Sequence, residues 1–90
     1  MHKVIKQETI IQNCKGLHAR ASAQVVNLAE SFRATTYICH QGLRVSAQSI
    51  MGLLMLGAGQ GSIVVVEGEG IDADQAVASL VHLIDNKFGE

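Results

Sequence analysis

A histidine and an arginine stand two residues apart in the segment Gly16-Leu17-His18-Ala19-Arg20-Ala21-Ser22-Ala23. The segment falls where a loop meets the start of the first predicted helix. That junction suits an anion, because the first turn of a helix offers unpaired backbone N–H groups and the positive end of the helix dipole. There a neutral imidazole nitrogen of His18 can attack phosphorus and form a covalent intermediate. The other ring nitrogen, if it keeps its proton and bonds outward, fixes the tautomer and frees the first to react near neutral pH. The guanidinium of Arg20 is a planar fork that pairs with phosphoryl oxygens entering or leaving such a site. Gly16 lets the backbone come close, and Ala19, Ala21 and Ala23 leave the region uncrowded. A plainer reading stands beside this one: a capping or surface histidine with an arginine nearby.

Other polar groups point less sharply to chemistry. Ser49 opens the run Ser49-Ile50-Met51-Gly52-Leu53-Leu54-Met55-Leu56-Gly57, which is too apolar for a loop. Its serine and glycine suit the two caps of a short helix. Within it Leu53 and Leu56 are expected inside and Met51 partly exposed. His2, His40 and His82 show no ligand spacing with Cys14 or Cys39, so they read as surface histidines and no metal or other cofactor is expected. Asp72 and Asp74 read as a cap and a first-turn charge complementing a helix dipole, not as a catalytic carboxylate pair.

The elements that must hold His18 in place follow from periodicity. Lys3 to Ile11 is β-branched and reads as a first strand, and Asn13 to Gly16 as a loop. Ala21, Val25, Leu28, Ala29 and Phe32 form one stripe of an amphipathic helix ending near Ser31. Ala34 to Cys39 and Leu43 to Ser46 read as strands of a hairpin turning at His40-Gln41-Gly42. After the short helix and a glycine-rich turn from Gly57 to Gly61, Ser62 to Glu67 reads as a buried central strand. Asp72 and Gln75 have capping-box spacing, and Ala73, Ala76, Val77, Leu80, Ile84 and Phe88 continue at helical spacing. The order is βαββαβα. It implies an α+β open-faced β-sandwich, a four-stranded, mainly antiparallel sheet with three helices on one face.

Composition narrows the function classes. Ninety residues, 48% of them hydrophobic, fit one domain over 1–90 with any site near its surface. Seven Lys and Arg against eight Asp and Glu supply no basic patch, and 3% aromatic residues supply no stacking platform, which argues against nucleic acid. The start carries no secretory pattern, and no run approaches the ~18 apolar residues of a membrane helix. A cytoplasmic monomer without membrane insertion is expected, with Cys14 and Cys39 as free thiols.

Gly16-Leu17-His18-Ala19-Arg20, the block Ser49-Ile50-Met51-Gly52 and the glycine turn from Gly57 to Gly61 occur at separations that resemble the histidine-containing phosphocarrier family, HPr, of the bacterial phosphotransferase system. The resemblance covers essentially the whole chain. It implies a four-stranded open-faced sandwich with three helices. It also implies that His18 takes a phosphoryl group, originating from phosphoenolpyruvate, from phosphorylated enzyme I and passes it to IIA domains for sugar uptake or regulation. Arg20 matches the neighbouring arginine, and Gly16 and Ala19 fall in the phosphate loop. Leu17, Ile50, Met51 and Leu54 fall on the partner-docking face, where methionine adapts to differently shaped partners. Ser49 matches a serine that an HPr kinase/phosphorylase modifies in some branches; an ordinary N-cap is its other reading.

The chain departs from the family pattern at Ala21, where proline is usual, and the loss of that restriction loosens the His18 loop. A carrier of this kind is an intermediate in phosphoryl transfer, not a turnover enzyme. Two other classes stay open. A small phosphate-ester or acyl-phosphate hydrolase would use the same His18 and Arg20 and would turn over; a regulatory ligand-binding module would leave His18 dispensable.

Overall fold

The computed structural model describes residues 4–90. His2 and Lys3, expected as a surface histidine and the start of a strand, lie outside the described residues. The elements run β1 (Val4–Ile10), α1 (Ala19–Ala29), β2 (Thr35–His40), β3 (Leu43–Ser46), α2 (Ile50–Met55), β4 (Ile63–Glu69) and α3 (Ala73–Asp85), followed by a 3-10 turn over Lys87–Gly89. The sheet order is β1-β4-β2-β3, with every neighbouring pair antiparallel.

The β-branched run of β4 takes an interior place in the sheet because it can be covered on one face and paired on both edges. Val64 and Val66 are fully buried, whereas Ile63 on the opposite face is 54% exposed. Ile38 of β2 pairs with Val66, and with Val64 they meet Val25 of α1, Leu53 of α2, and Leu80 and Ile84 of α3 in one core. Gly68 lets α3 lie close to the sheet, since a Cβ there would fall 2.8 Å from a Val77 methyl. Among the described residues no helix is long and apolar enough to cross a membrane.

Three local expectations are corrected. Helix α1 ends at Ala29, because the Ser31 hydroxyl donates to the Leu28 carbonyl at 2.6 Å and the next bonds close over three residues, not four. Phe32 therefore sits half-buried in the following turn. Helix α3 ends at Asp85, since Lys87 and Phe88 take left-handed backbone angles (φ 58° and 55°). Phe88 leaves the helical stripe and folds back into the core, 3% exposed.

Asp72 precedes α3 but its carboxylate makes no capping bond. It accepts instead from the backbone N–H groups of Arg33 and Ala34, at 2.9 and 2.7 Å, tying the entry of β2 to that of α3. The Arg33 N–H is the largest cause holding this carboxyl below its ordinary 3.8. A depressed carboxylate stabilises the fold above its unfolded pKa, and that contribution disappears as pH falls through the lower folded value. Asp72→Ala is therefore expected to melt at a lower temperature at pH 7 and to lose less stability on acidification than the wild type. Thermal melts at pH 7 and pH 3 check this; equal acid sensitivity in both proteins contradicts it.

Candidate functional site

His18 is the N-cap residue of α1, with extended backbone (φ −73°, ψ 178°) and no side-chain capping bond. The simple capping reading is thereby excluded. The first bond of the helix runs from Ser22 N–H to the His18 carbonyl at 2.8 Å, so the N–H groups of Ala19, Arg20 and Ala21 precede any four-residue acceptor.

The imidazole is engaged elsewhere. Its Nε2 lies 2.5 Å from a carboxylate oxygen of Glu90, with the two side chains 23% and 33% exposed. Asn13, only 2% exposed, donates from Nδ2 to the Gly16 carbonyl at 2.8 Å and approaches both Glu90 oxygens at 3.3 and 3.4 Å. The His18 bond foremost, then that of Asn13, holds the Glu90 carboxyl below its ordinary value. A carboxylate accepts, so in neutral imidazole this pairing keeps the proton on Nε2 and leaves the lone pair on Nδ1.

The loop carrying His18 is clasped by the glycine turn after α2. Gly16 has φ +63°, and a Cβ there would lie 2.6 Å from the Ala58 carbonyl oxygen and 2.7 Å from Gly59 Cα. Leu17 N–H donates to that same Ala58 oxygen at 3.0 Å. Two segments far apart in sequence thus interlock around the base of His18. Leu17, expected on a partner-docking face, is corrected: it is 6% exposed and packs into the core, leaving little surface for a partner.

Ala19 and Arg20 are exposed, while Ala21 is fully buried as the third residue of α1. Arg20 and Glu90 share the lining of a cavity of about 300 Å³ with Gln24, Phe88 and Gly89. On α2, Ser49 caps the helix, its hydroxyl oxygen accepting from Gly52 N–H at 3.0 Å. Ile50, Met51 and Leu54 are 42%, 71% and 40% exposed, and Met55, not singled out from sequence, is 71% exposed; Leu53 and Leu56 are buried as expected. The four-residue spacing of Met51 and Met55 would have pointed to the missing one.

His40 is a further correction: it is a buried residue, 8% exposed, whose Nδ1 bonds the Leu56 carbonyl at 2.8 Å. His82 is exposed. Both cysteines are free; Cys39, whose thiol donates to Glu67 at 3.0 Å, is pushed up to about 11, chiefly by burial. Asn13 and Glu90 escaped the sequence reading, Asn13 because it looked like an ordinary loop residue and Glu90 because it lies 72 positions from His18.

The predicted tautomer can be read directly. In ¹⁵N spectra near pH 8, the His18 Nε2 of the wild type is expected to be protonated and Nδ1 bare, with the bias reduced in Glu90→Ala. A proton on Nδ1 in the wild type contradicts the assignment.

Comparison with known proteins agrees with the resemblance. A family model described as "PTS HPr component phosphorylation site" matches residues 5–86. The phosphocarrier protein HPr of Cupriavidus necator is 45% identical over 87 residues, covering 97% of this chain and 98% of the relative. The phosphocarrier protein NPr of Shewanella violacea is 42% identical over 90 residues, covering 100% and 98%. Among solved structures, HPr-C-His from Thermoanaerobacter tengcongensis superposes with a TM-score of 0.91 at 40% identity, covering 96% of this chain and 97% of that one.

Proposed function

The chain belongs to the HPr family of the phosphotransferase system, and from that premise we propose that it carries a phosphoryl group on Nδ1 of His18. The observation that supports this most is the pairing of His18 Nε2 with Glu90 at the head of α1. It leaves the other ring nitrogen with its lone pair, on the residue that opens a helix whose first-turn N–H groups precede any four-residue acceptor. In the step proposed, the Nδ1 lone pair forms a bond to phosphorus of phosphorylated enzyme I as the donor's bond to phosphorus breaks, its electron pair staying with the donor. The first-turn N–H groups and the Arg20 guanidinium stabilise the charge on the phosphoryl oxygens. A second transfer gives the group to a IIA domain, serving sugar uptake or regulation, in the cytoplasm and with the carrier as a monomer.

Ile50, Met51 and Leu54 form the docking face, to which Met55 is added here. We assign Ser49 as the site of an HPr kinase/phosphorylase. Phosphate there can keep the Gly52 N–H as a donor, so the helix need not melt, and its charge beside the docking face slows association. Incubation with such a kinase is expected to modify wild-type protein and not Ser49→Ala; modification elsewhere contradicts the assignment.

Sequential transfer tests the carrier reading. With phosphoenolpyruvate, catalytic enzyme I and a stoichiometric IIA domain, label is expected to pass through this chain to the IIA domain. Steady release of inorganic phosphate from small phosphate esters by this chain alone would favour the hydrolase instead.

A further inference from the structure

We infer that His40 is a positioning residue for the phosphoryl site, acting through the glycine turn that clasps the His18 loop. The inference deepens the carrier reading and rests on it. Leu56 is the C-cap residue of α2, and carbonyls in a last helical turn lack partners within the helix. The Leu56 carbonyl is met by Nδ1 of His40 at 2.8 Å. A carbonyl can only accept, so His40 donates from Nδ1; the residue also lines a cavity of about 510 Å³ with Gln41, Gln60, Gly61, Ser62 and Ile63.

Two residues beyond Leu56, the Ala58 carbonyl receives Leu17 N–H at 3.0 Å, and Gly16 runs so close to Ala58 and Gly59 that no Cβ would fit between them. Further along, Gln60 reaches the Gln12 carbonyl at 3.1 Å, and Gly61 N–H donates to Ile11 at 2.7 Å. The turn is therefore fixed at its far end to Ile11 and Gln12, the residues that follow β1 and lead into the His18 loop. Its near end is fixed by the His40 side chain to β2. Release of that near end frees the Ala58 carbonyl to drift, and with it Leu17 and the backbone that orients His18.

His40→Phe keeps a flat ring and removes the donor. His40→Asn is the conservative partner, because asparagine Nδ2 lies the same number of bonds from Cβ as histidine Nδ1. In His40→Phe, Leu17 amide exchange is expected to rise roughly three- to tenfold relative to the core amides of Ile38 and Val64, the range for one lost hydrogen bond. The rate of His18 phosphorylation at saturating donor should fall by a similar factor while half-saturation holds. His40→Asn should restore both. Unchanged relative exchange at Leu17 in the Phe variant, or no rescue by Asn, overturns the inference. So does a wild-type ¹⁵N spectrum with the His40 proton on Nε2 alone, a measurement that needs no variant. Wild-type protein that never takes phosphate on His18 defeats the carrier reading, whereas the Leu17 exchange still reports on the anchor.

Discussion

Replacing Gly16 by alanine is expected to slow phosphorylation of His18 by about a hundredfold, the scale on which a displacement near 1 Å acts on a positioned reactant. Gly57 supplies the control. Both glycines have left-handed backbone, φ +63° and +64°, so alanine at either carries the same conformational cost of about 1 kcal/mol. They differ in surroundings. Nothing lies within 4 Å of a Cβ at Gly57, whereas at Gly16 it would meet the Ala58 carbonyl oxygen at 2.6 Å and Gly59 Cα at 2.7 Å. Those are backbone atoms, and the Ala58 oxygen already holds Leu17 N–H. Relief must come from separating the two loops, which moves His18. Overpacking of this kind adds about 1–3 kcal/mol. Gly16→Ala should therefore melt well below Gly57→Ala and lose transfer, while Gly57→Ala keeps it. Equal transfer rates in the two variants contradict the interlock.

Leu53→Ala is expected to destabilise the protein by about 2–5 kcal/mol, the range for removing a fully buried leucine and leaving a cavity. Leu53 is the only buried residue of α2 within Ile50–Met55; its side chain sits in the core with Val25, Ile38 and Val64. A helix this short has little stability of its own, so loss of that anchor loosens the segment leading into the glycine turn. Its neighbour provides the contrast. Leu54 is 40% exposed, and Leu54→Ala should cost under about 1 kcal/mol while raising the donor concentration needed for half-maximal transfer. Denaturant unfolding separates the stabilities, and transfer kinetics separate the docking effects. A Leu54 variant as destabilised as the Leu53 variant contradicts the division of α2 into an anchored and a docking face.

Residue pattern gave access to the features that depend on near neighbours. The β-branched run Ile63–Val66 announces an interior strand, and the stripe Ala76, Val77, Leu80, Ile84 announces a helix against it, because each property is carried by spacing alone. The position of His18 at the head of α1 was likewise legible from the loop-to-helix change around Gly16. What could not be read depends on partners distant in the chain. Asp72 has capping-box spacing, yet the N–H groups of Arg33 and Ala34 claim its carboxylate. His40 looks like a turn residue until the Leu56 carbonyl arrives beside it. Leu17 borders the reactive histidine but is drawn inward by the core beneath the loop. Phe88 keeps the helical period, but left-handed angles at Lys87 and Phe88 turn it into the core by another route. The Asn13–Glu90–His18 cluster depends on that same turn, which brings Glu90 across to α1.

The central claim is tested most directly by intact-protein mass and phosphorus NMR after incubation with phosphoenolpyruvate and enzyme I, run beside His18→Ala. One acid-labile phosphoryl group per chain, bonded to Nδ1 and absent from the variant, is the expected result. A wild-type chain that stays unmodified, or an alanine variant that still takes the group, contradicts it.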